Sequence, residues 1–191
     1  MLRLARIPFV RKIRRFLREQ RGVAAIEFAI ISSVLTLALL GGTELARYTL
    51  MHQKMDRVSS SVADWTSQSS ILMSTDFDNF FAGANQVAKP FDLGAKGLVV
   101  ISFIIAETDT TYRVSWQRTG GGTLAQASQI GTPGGIATLP AGVTLVQGDC
   151  LVATEVYAQY DAFVFPDLIS STVVYKRSFV QPRSPDIITV Q

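Results

Sequence analysis

An uninterrupted apolar run lies near the N-terminus of the chain. Residues 23–42 contain one charged side chain, Glu27, among 20 residues that are otherwise uncharged. As a helix, this run would extend about 30 Å, which is the thickness of the hydrocarbon core of a bilayer. The pattern therefore predicts a transmembrane segment over residues 23–42. Glu27 lies either inside the membrane, where carboxylates are costly and usually functional, or at the headgroup interface.

Beyond the apolar run, hydrophobic residues recur at alternating intervals of three and four. This stripe consists of Tyr48, Met51, Met55, Val58, Val62 and Trp65, and no Pro or Gly interrupts residues 43–70. Such spacing puts the stripe on one face of a helix. We expect one continuous helix from about Val23 to about Ser69, whose second half packs against a soluble domain. A seam between subunits is the alternative interpretation of the stripe.

The remainder of the chain favours β-structure. Alternating and β-branched runs predict four strands, at Leu98–Ala106, Thr111–Gln117, Leu151–Phe163 and Thr172–Phe179. The first two strands should form a hairpin, and the last two should pair after a turn at residues 165–167. Residues 76–96 are expected to be a short helix plus a loop. Residues 119–149, rich in Gly and Pro, are expected to be a long loop or a small excursion on the exposed side, and residues 181–186 an extended tail.

Together these elements predict an α+β fold, in which a long N-terminal helix packs on a small antiparallel β-sheet. The first half of that helix is transmembrane. The predicted organisation is a basic leader at 1–22, a transmembrane segment at 23–42, an amphipathic helix extension at 43–72 and a β-rich domain at 73–191.

The charge of the chain is concentrated in the leader. Residues 1–22 carry eight basic side chains against a single Glu, for a net charge of +7, whereas residues 23–191 carry 10 basic and 14 acidic side chains. A basic flank before an apolar span is retained on the cytoplasmic side, so the domain after the span should be translocated. This explains the basic tail without a nucleic-acid partner.

Little in the composition points to catalysis. The chain has one Cys, Cys150, and one His, His52, which excludes an intramolecular disulfide and any multi-cysteine zinc site. His52 is expected to be a polar helix residue, and Cys150 either a small buried hydrophobe or a partner in an intermolecular disulfide.

The remaining motifs also favour structural interpretations. The run Gly120–Gly122 is expected to be a flexible turn rather than a phosphate cradle, and Asp76 and Asp78 offer too few oxygens for a calcium site. The aromatic residues Tyr157, Tyr160, Phe163 and Phe165 are interpreted as an aromatic-rich core strand rather than a binding surface. No catalytic, cofactor-binding or metal-binding residue is predicted, and the chain is not expected to be an enzyme.

The junction between leader and span carries a family resemblance. Gly22-Val23-Ala24-Ala25-Ile26-Glu27-Phe28 resembles the processing site of type IV pilin-like proteins, and more closely that of TadE-like and TadG-like pseudopilins of tight-adherence (Flp) pilus systems. Gly41–Tyr48 and Cys150–Tyr160 also fit the TadE-like pattern, and residues 66–147 match no motif. The resemblance implies a pilin-like fold and a minor pilin, or pseudopilin, that assembles or primes a pilus.

The resemblance also implies roles for particular residues. A prepilin peptidase would cut between Gly22 and Val23, and Glu27, followed by Phe28, would meet the N-terminus of a neighbouring subunit. The implied partners are other pilins, the peptidase, an inner-membrane assembly platform and membrane lipid. The implied location is the bacterial inner membrane, with a periplasmic C-terminal domain. The alternatives are a pseudopilin of another secretion system, or a signal-anchored periplasmic protein with an unrelated domain. Cleavage by signal peptidase near Gly41-Gly42 is a separate alternative for the apolar run.

Overall fold

A computed structural model describes residues 22–164, 166–167, 169–183 and 188–190. The chain divides into two compact units, residues 1–44 and 45–191. The predicted leader up to residue 21, Phe165 and residues 184–186 of the predicted tail lie outside the described residues.

Helix α1 runs from Val23 to Ser67 without a break. It ends two residues before the predicted end at Ser69, so the prediction of one continuous helix is confirmed. Its 45 residues correspond to about 68 Å of helical rise.

A four-stranded antiparallel sheet forms the centre of the second unit, with strand order β3-β2-β4-β5. The strands are β2 (Gly97–Ala106), β3 (Tyr112–Gly120), β4 (Cys150–Tyr160) and β5 (Thr172–Val180). The predicted strands and both predicted hairpin pairings are confirmed. Strand β3 extends to Gly120 because Gly120 still pairs with Val99, and β4 ends at Tyr160 rather than Phe163.

The stripe of α1 packs into the core on one face of this sheet. Met51, Met55, Val58 and Val62 are at most 2% exposed and share one hydrophobic cluster with Val156 and other sheet residues. Trp65 is partly buried at the edge of the cluster, and the Tyr48 ring packs edge-on against Tyr160 at 5.1 Å between centroids. The stripe is therefore core within one chain, which confirms the packing interpretation over the seam between subunits.

A second helix, α2 (Ser74–Ala88), also packs on this cluster and is longer than predicted. The Asp76 carboxylate accepts a hydrogen bond from the Met73 amide at 2.8 Å and caps the first turn, so its structural role is that of a helix cap. A single-turn helix, α3 (Leu93–Lys96), follows. The sequence did not predict the short parallel pair formed by β1 (Ile71–Leu72) and β6 (Thr189–Val190).

The segment between β3 and β4 is a loop, as predicted, but it covers the second face of the sheet. Ile130, Ala137 and Leu145 are buried in a cluster with Ile104 and Leu151. The expectation that this segment stands on an exposed side is wrong, because both faces of β4 need cover for their apolar residues. Strand β4 is consequently buried on both faces.

The glycine run at the start of this segment is a close backbone approach, which corrects the expectation of a flexible turn. A Cβ atom at Gly122 would lie 2.0 Å from the carbonyl oxygen of Gly97 and 2.2 Å from that of Leu93. Gly121 has a φ of +74°, a conformation that glycine adopts without a steric penalty. These residues therefore fit only as glycines.

A fully buried carboxylate, Glu155, fastens the loop segment to the sheet. Glu155 accepts hydrogen bonds from the Ser128 hydroxyl, from the Gln129 amide at 2.9 Å and from the Tyr175 hydroxyl at 2.8 Å. The Tyr157 hydroxyl lies 3.0 Å from the same carboxylate and 2.9 Å from the Ala127 carbonyl. Burial, and then the nearby Glu155, raise the pKa of both tyrosines, so their hydroxyls stay protonated as donors.

Replacing Val62 by Asp should place a charge in the buried stripe. We expect a loss of several kcal/mol of stability and a Tm lower by roughly 10 °C. The measurement is thermal unfolding of the full chain in detergent by near-ultraviolet circular dichroism, which senses the packing of Trp65 and Trp116. Ser60→Asp, on the exposed side of the same helix, is the control and should unfold near the wild-type temperature. Equal Tm values for the two variants would contradict the packing.

Replacing Glu155 by Ala should leave several donors, most of them part-buried, without this acceptor. We expect a cost of about 3–5 kcal/mol, a value typical of breaking a buried charged network. Glu155→Gln keeps the shape and one acceptor oxygen and should lose less. Glu107→Ala removes a carboxylate from the exposed pair with Arg113 and should unfold close to the wild-type temperature in the same assay. Equal Tm values for Glu155→Ala and this control would contradict the role of Glu155 in fastening the loop segment.

Candidate membrane and assembly segment

The predicted processing site lies where α1 begins. Val23 is the first residue of the helix, and Gly22 precedes it with an exposed backbone. No described atom within 4 Å would meet a side chain at Gly22. The bond between Gly22 and Val23 is therefore at the boundary of the helix. No described residue packs over Gly22.

Glu27 follows one helical turn after Val23. The rise between the two residues is about 6 Å, so an amine at Val23 and the Glu27 carboxylate would lie on neighbouring turns. Glu27 is exposed, and Phe28 beside it is 72% exposed. The structure therefore places Val23, Glu27 and Phe28 in the first turns of α1 and Gly22 directly before them.

The apolar side chains of the first unit are uncovered. Between Val23 and Leu40 the large hydrophobic residues are 36–72% exposed, and they lie all around the helix. A helix that is apolar on every side is suited to lipid or to the interior of a helix bundle. This arrangement contrasts with the one-sided stripe of the same helix between Met51 and Trp65.

Three hydroxyl groups in this region are satisfied within the helix. Ser33 donates to the Ala29 carbonyl at 2.8 Å, Thr36 to Ser32 at 2.8 Å and Thr43 to Leu40 at 2.7 Å. In hydrocarbon an unpaired hydroxyl is costly, and these internal bonds remove that cost. By length and composition, α1 is able to cross a membrane, which is consistent with a single-pass membrane protein.

The other candidate residues of the sequence do not converge on a site. In the described part of the chain, no three His, Cys, Asp or Glu side chains lie close enough to share a metal ion. Cys150 is half-buried at the start of β4, where burial raises the pKa of its thiol and keeps it protonated. His52 packs edge-on against Tyr48 at 4.6 Å, and burial lowers its pKa, so it is a mostly neutral helix residue.

One group of side chains was not recognised from the sequence. The Arg47 guanidinium lies 5.8 Å from the centre of the Phe91 ring and 5.1 Å from that of Phe163. Both distances are typical of cation–π contacts. The sequence pattern predicted Phe163 to be part of a core strand. Phe163 is instead 73% exposed and lies beyond the end of β4, which corrects its assignment to the core.

Comparison with known proteins identifies the same segment. Residues 22–64 match the sequence model of a protein family described as TadE-like protein. No curated protein and no solved structure matches the chain. The matched region begins at Gly22, includes Glu27 and Phe28, and extends through most of α1.

The match confirms the resemblance drawn from the sequence, and it covers 43 of the 191 residues of the chain. Residues 22–64, from Gly22 through the apolar segment and most of the buried stripe, carry the signature of a TadE-like protein.

Proposed function

We propose that this chain is a minor pilin, or pseudopilin, that assembles or primes a tight-adherence pilus. The observation that carries the proposal is the uncovered apolar helix that starts at Val23 and holds Glu27 one turn later, inside the region similar to TadE-like proteins. Its partners would be other pilins, membrane lipid, a prepilin peptidase and the inner-membrane assembly platform. The leader would stay in the cytoplasm, and the second unit would lie in the periplasm and later in the pilus.

Processing would occur after Gly22. A residue without a side chain lets the backbone enter a narrow protease site in extended form. Because the helix begins at Val23, cutting this bond leaves α1 whole. The product would start with a charged amine at the end of an apolar helix.

That amine supplies a reason for Glu27. A charge of either sign in a bundle of apolar helices is costly unless an opposite charge offsets it. The Val23 amine of one subunit and the Glu27 carboxylate of a neighbour would form such a pair. The pair would favour subunits that are correctly seated, since a misplaced subunit leaves both charges unpaired.

The alternatives differ from this proposal in whether and where the chain is cut. Signal peptidase would act near Gly41-Gly42 and would remove the entire apolar segment, whereas a prepilin peptidase removes only the leader. These two products differ by about 20 residues, and the product of signal peptidase lacks the apolar segment. A signal-anchored chain would stay uncut and keep Met1. The mature N-terminus therefore distinguishes these three outcomes.

Gly22→Leu should block processing and leave a full-length chain in the membrane. Gly42→Leu is the matched control, because no described atom within 4 Å would meet a side chain at Gly42. Mass spectrometry of the mature protein should find Val23 at the N-terminus of the wild type and of the control, and Met1 in Gly22→Leu. Normal processing of Gly22→Leu, or a block caused by Gly42→Leu, would favour cleavage by signal peptidase, and Met1 at the N-terminus of the wild type would favour a signal-anchored chain.

Glu27→Gln should abolish association with other pilins without preventing insertion or cleavage. The variant keeps the shape of the side chain but cannot neutralise a neighbouring amine, and its removal of a charge makes insertion easier. The measurement is co-purification with pilin partners after crosslinking, together with the size of the mature chain. Thr36→Val, which removes an internally satisfied hydroxyl from the same segment, should assemble normally.

Two results would overturn this role. Accumulation of uncleaved Glu27→Gln protein would make Glu27 a recognition element for the peptidase instead. Wild-type cleavage together with wild-type association would leave Glu27 as an interfacial residue without an assembly function.

A further inference from the structure

The second unit presents a cation and exposed aromatic and apolar groups close to the residue at which it begins. This patch consists of Leu45, Arg47, Tyr48 and Phe163. Leu45 is 66% exposed and Phe163 is 73% exposed, and Arg47 contacts Phe163 directly. Leu45 and Tyr48 are three positions apart on α1 and therefore on one helix face.

Arg47 is not neutralised within the described part of the chain. No described carboxylate lies within 4 Å of it, and its buried Nε atom has no hydrogen-bond partner among the described residues. The contacts with Phe91 and Phe163 hold the guanidinium in place but do not satisfy its five donors. The group is therefore oriented and still able to bind an anion.

The chain places this patch immediately after the apolar segment. Arg47 follows Gly42 by five residues of α1, which is about 7 Å of helical rise. The headgroup layer on each side of a bilayer is about 5–7 Å thick. If the span ends near Gly42, the Arg47 backbone lies within the headgroup layer, and its guanidinium contacts Phe163.

The composition of the patch suits that location. Aromatic side chains concentrate at membrane interfaces, where an apolar body lies beside a polar layer. Arginine binds phosphate through a planar, bidentate fork. A protein partner would need complementary carboxylates and apolar groups at this one level, whereas the lipid surface is already there if the chain is anchored.

We propose that Leu45, Arg47, Tyr48 and Phe163 form a docking surface for lipid headgroups, with Arg47 on a phosphate and Phe163 inserted at the interface. The proposal rests on α1 being a membrane anchor, which is part of the proposed function. Docking would hold the second unit against the membrane before assembly, and extraction into a pilus would have to break these contacts.

The test uses the full chain in nanodiscs of phosphatidylcholine and phosphatidylglycerol. With Cys150→Ser as background, a small apolar fluorophore is attached through Phe163→Cys. The control label is attached through Val146→Cys, an exposed apolar position just before the other end of β4, about 33 Å of strand away. Quenching by brominated lipid and by aqueous iodide is measured at both positions.

We expect brominated lipid to quench the label at position 163 several-fold more than the label at 146, and iodide to show the reverse order. Adding Arg47→Gln should reduce the lipid quenching at 163. Arg57→Gln, an exposed arginine ten residues further along the same helix, should leave it unchanged.

Carbonate extraction separates the possible failures. Equal lipid quenching at both positions in an integrated chain overturns the docking surface and leaves the anchor intact. Shielding of the label at position 163 from iodide without quenching by lipid overturns the lipid docking surface in favour of a protein partner. Lipid quenching that is unchanged by Arg47→Gln overturns the phosphate contact. A chain that carbonate extracts has no anchor, and both proposals then fail.

Discussion

The core of the second unit depends on one continuous helix whose side-chain pattern changes along its length. In hydrocarbon every backbone donor and acceptor must be paired within the segment, and the helical residues after Val23 meet that condition. The same backbone continues without a break to Ser67. What changes along the helix is the side-chain pattern, from apolar on every side to a single stripe that the sheet covers.

The sheet has apolar residues on both faces, so each face has to be covered by another part of the chain. One face packs on the stripe of α1, and α2 completes that cluster. The other face is covered by a segment without regular secondary structure, whose backbone polar groups must find partners. Glu155 is one of these partners, since its carboxylate accepts hydrogen bonds from the Gln129 amide and the Ser128 hydroxyl of that segment. A buried carboxylate is costly alone, but here it specifies where an irregular loop lies.

The sequence predicted the periodic parts of this fold well. The apolar run and the stripe located α1 within two residues, and strand alternation located four strands and their pairing. The sequence predicted only a short helix here, whereas α2 has 15 residues, and Phe77, Phe80 and Ala84 follow helical spacing along it. In the fold Gly83 is a packing requirement: a Cβ there would lie 2.8 Å from the Trp65 ring.

Aperiodic contacts were not predictable in the same way. Nothing in the sequence around Glu155 reveals its contacts with Ser128 and Gln129, because these residues are 26 or more positions away. The Arg47 contacts share this character, since Phe91 and Phe163 are far from it in sequence. Gly22, Val23, Glu27 and Phe28, by contrast, are a local motif, which is why the sequence alone singles them out, and all four lie within the range of the family match.

The positions of Glu27 and Arg47 are linked by the length of helix between them. Twenty residues of α1 separate them, or about 30 Å of rise, which equals the thickness of the hydrocarbon core. If Arg47 reaches the lipid phosphates, an untilted helix draws Glu27 about 7 Å into the hydrocarbon at the other side. The carboxylate then needs a counter-charge, and the amine of a processed neighbour is a suitable one. Anchoring the second unit at the membrane surface would thus increase the cost of leaving the Glu27 charge unpaired. Docking and assembly would then both depend on the position of α1 along the membrane normal.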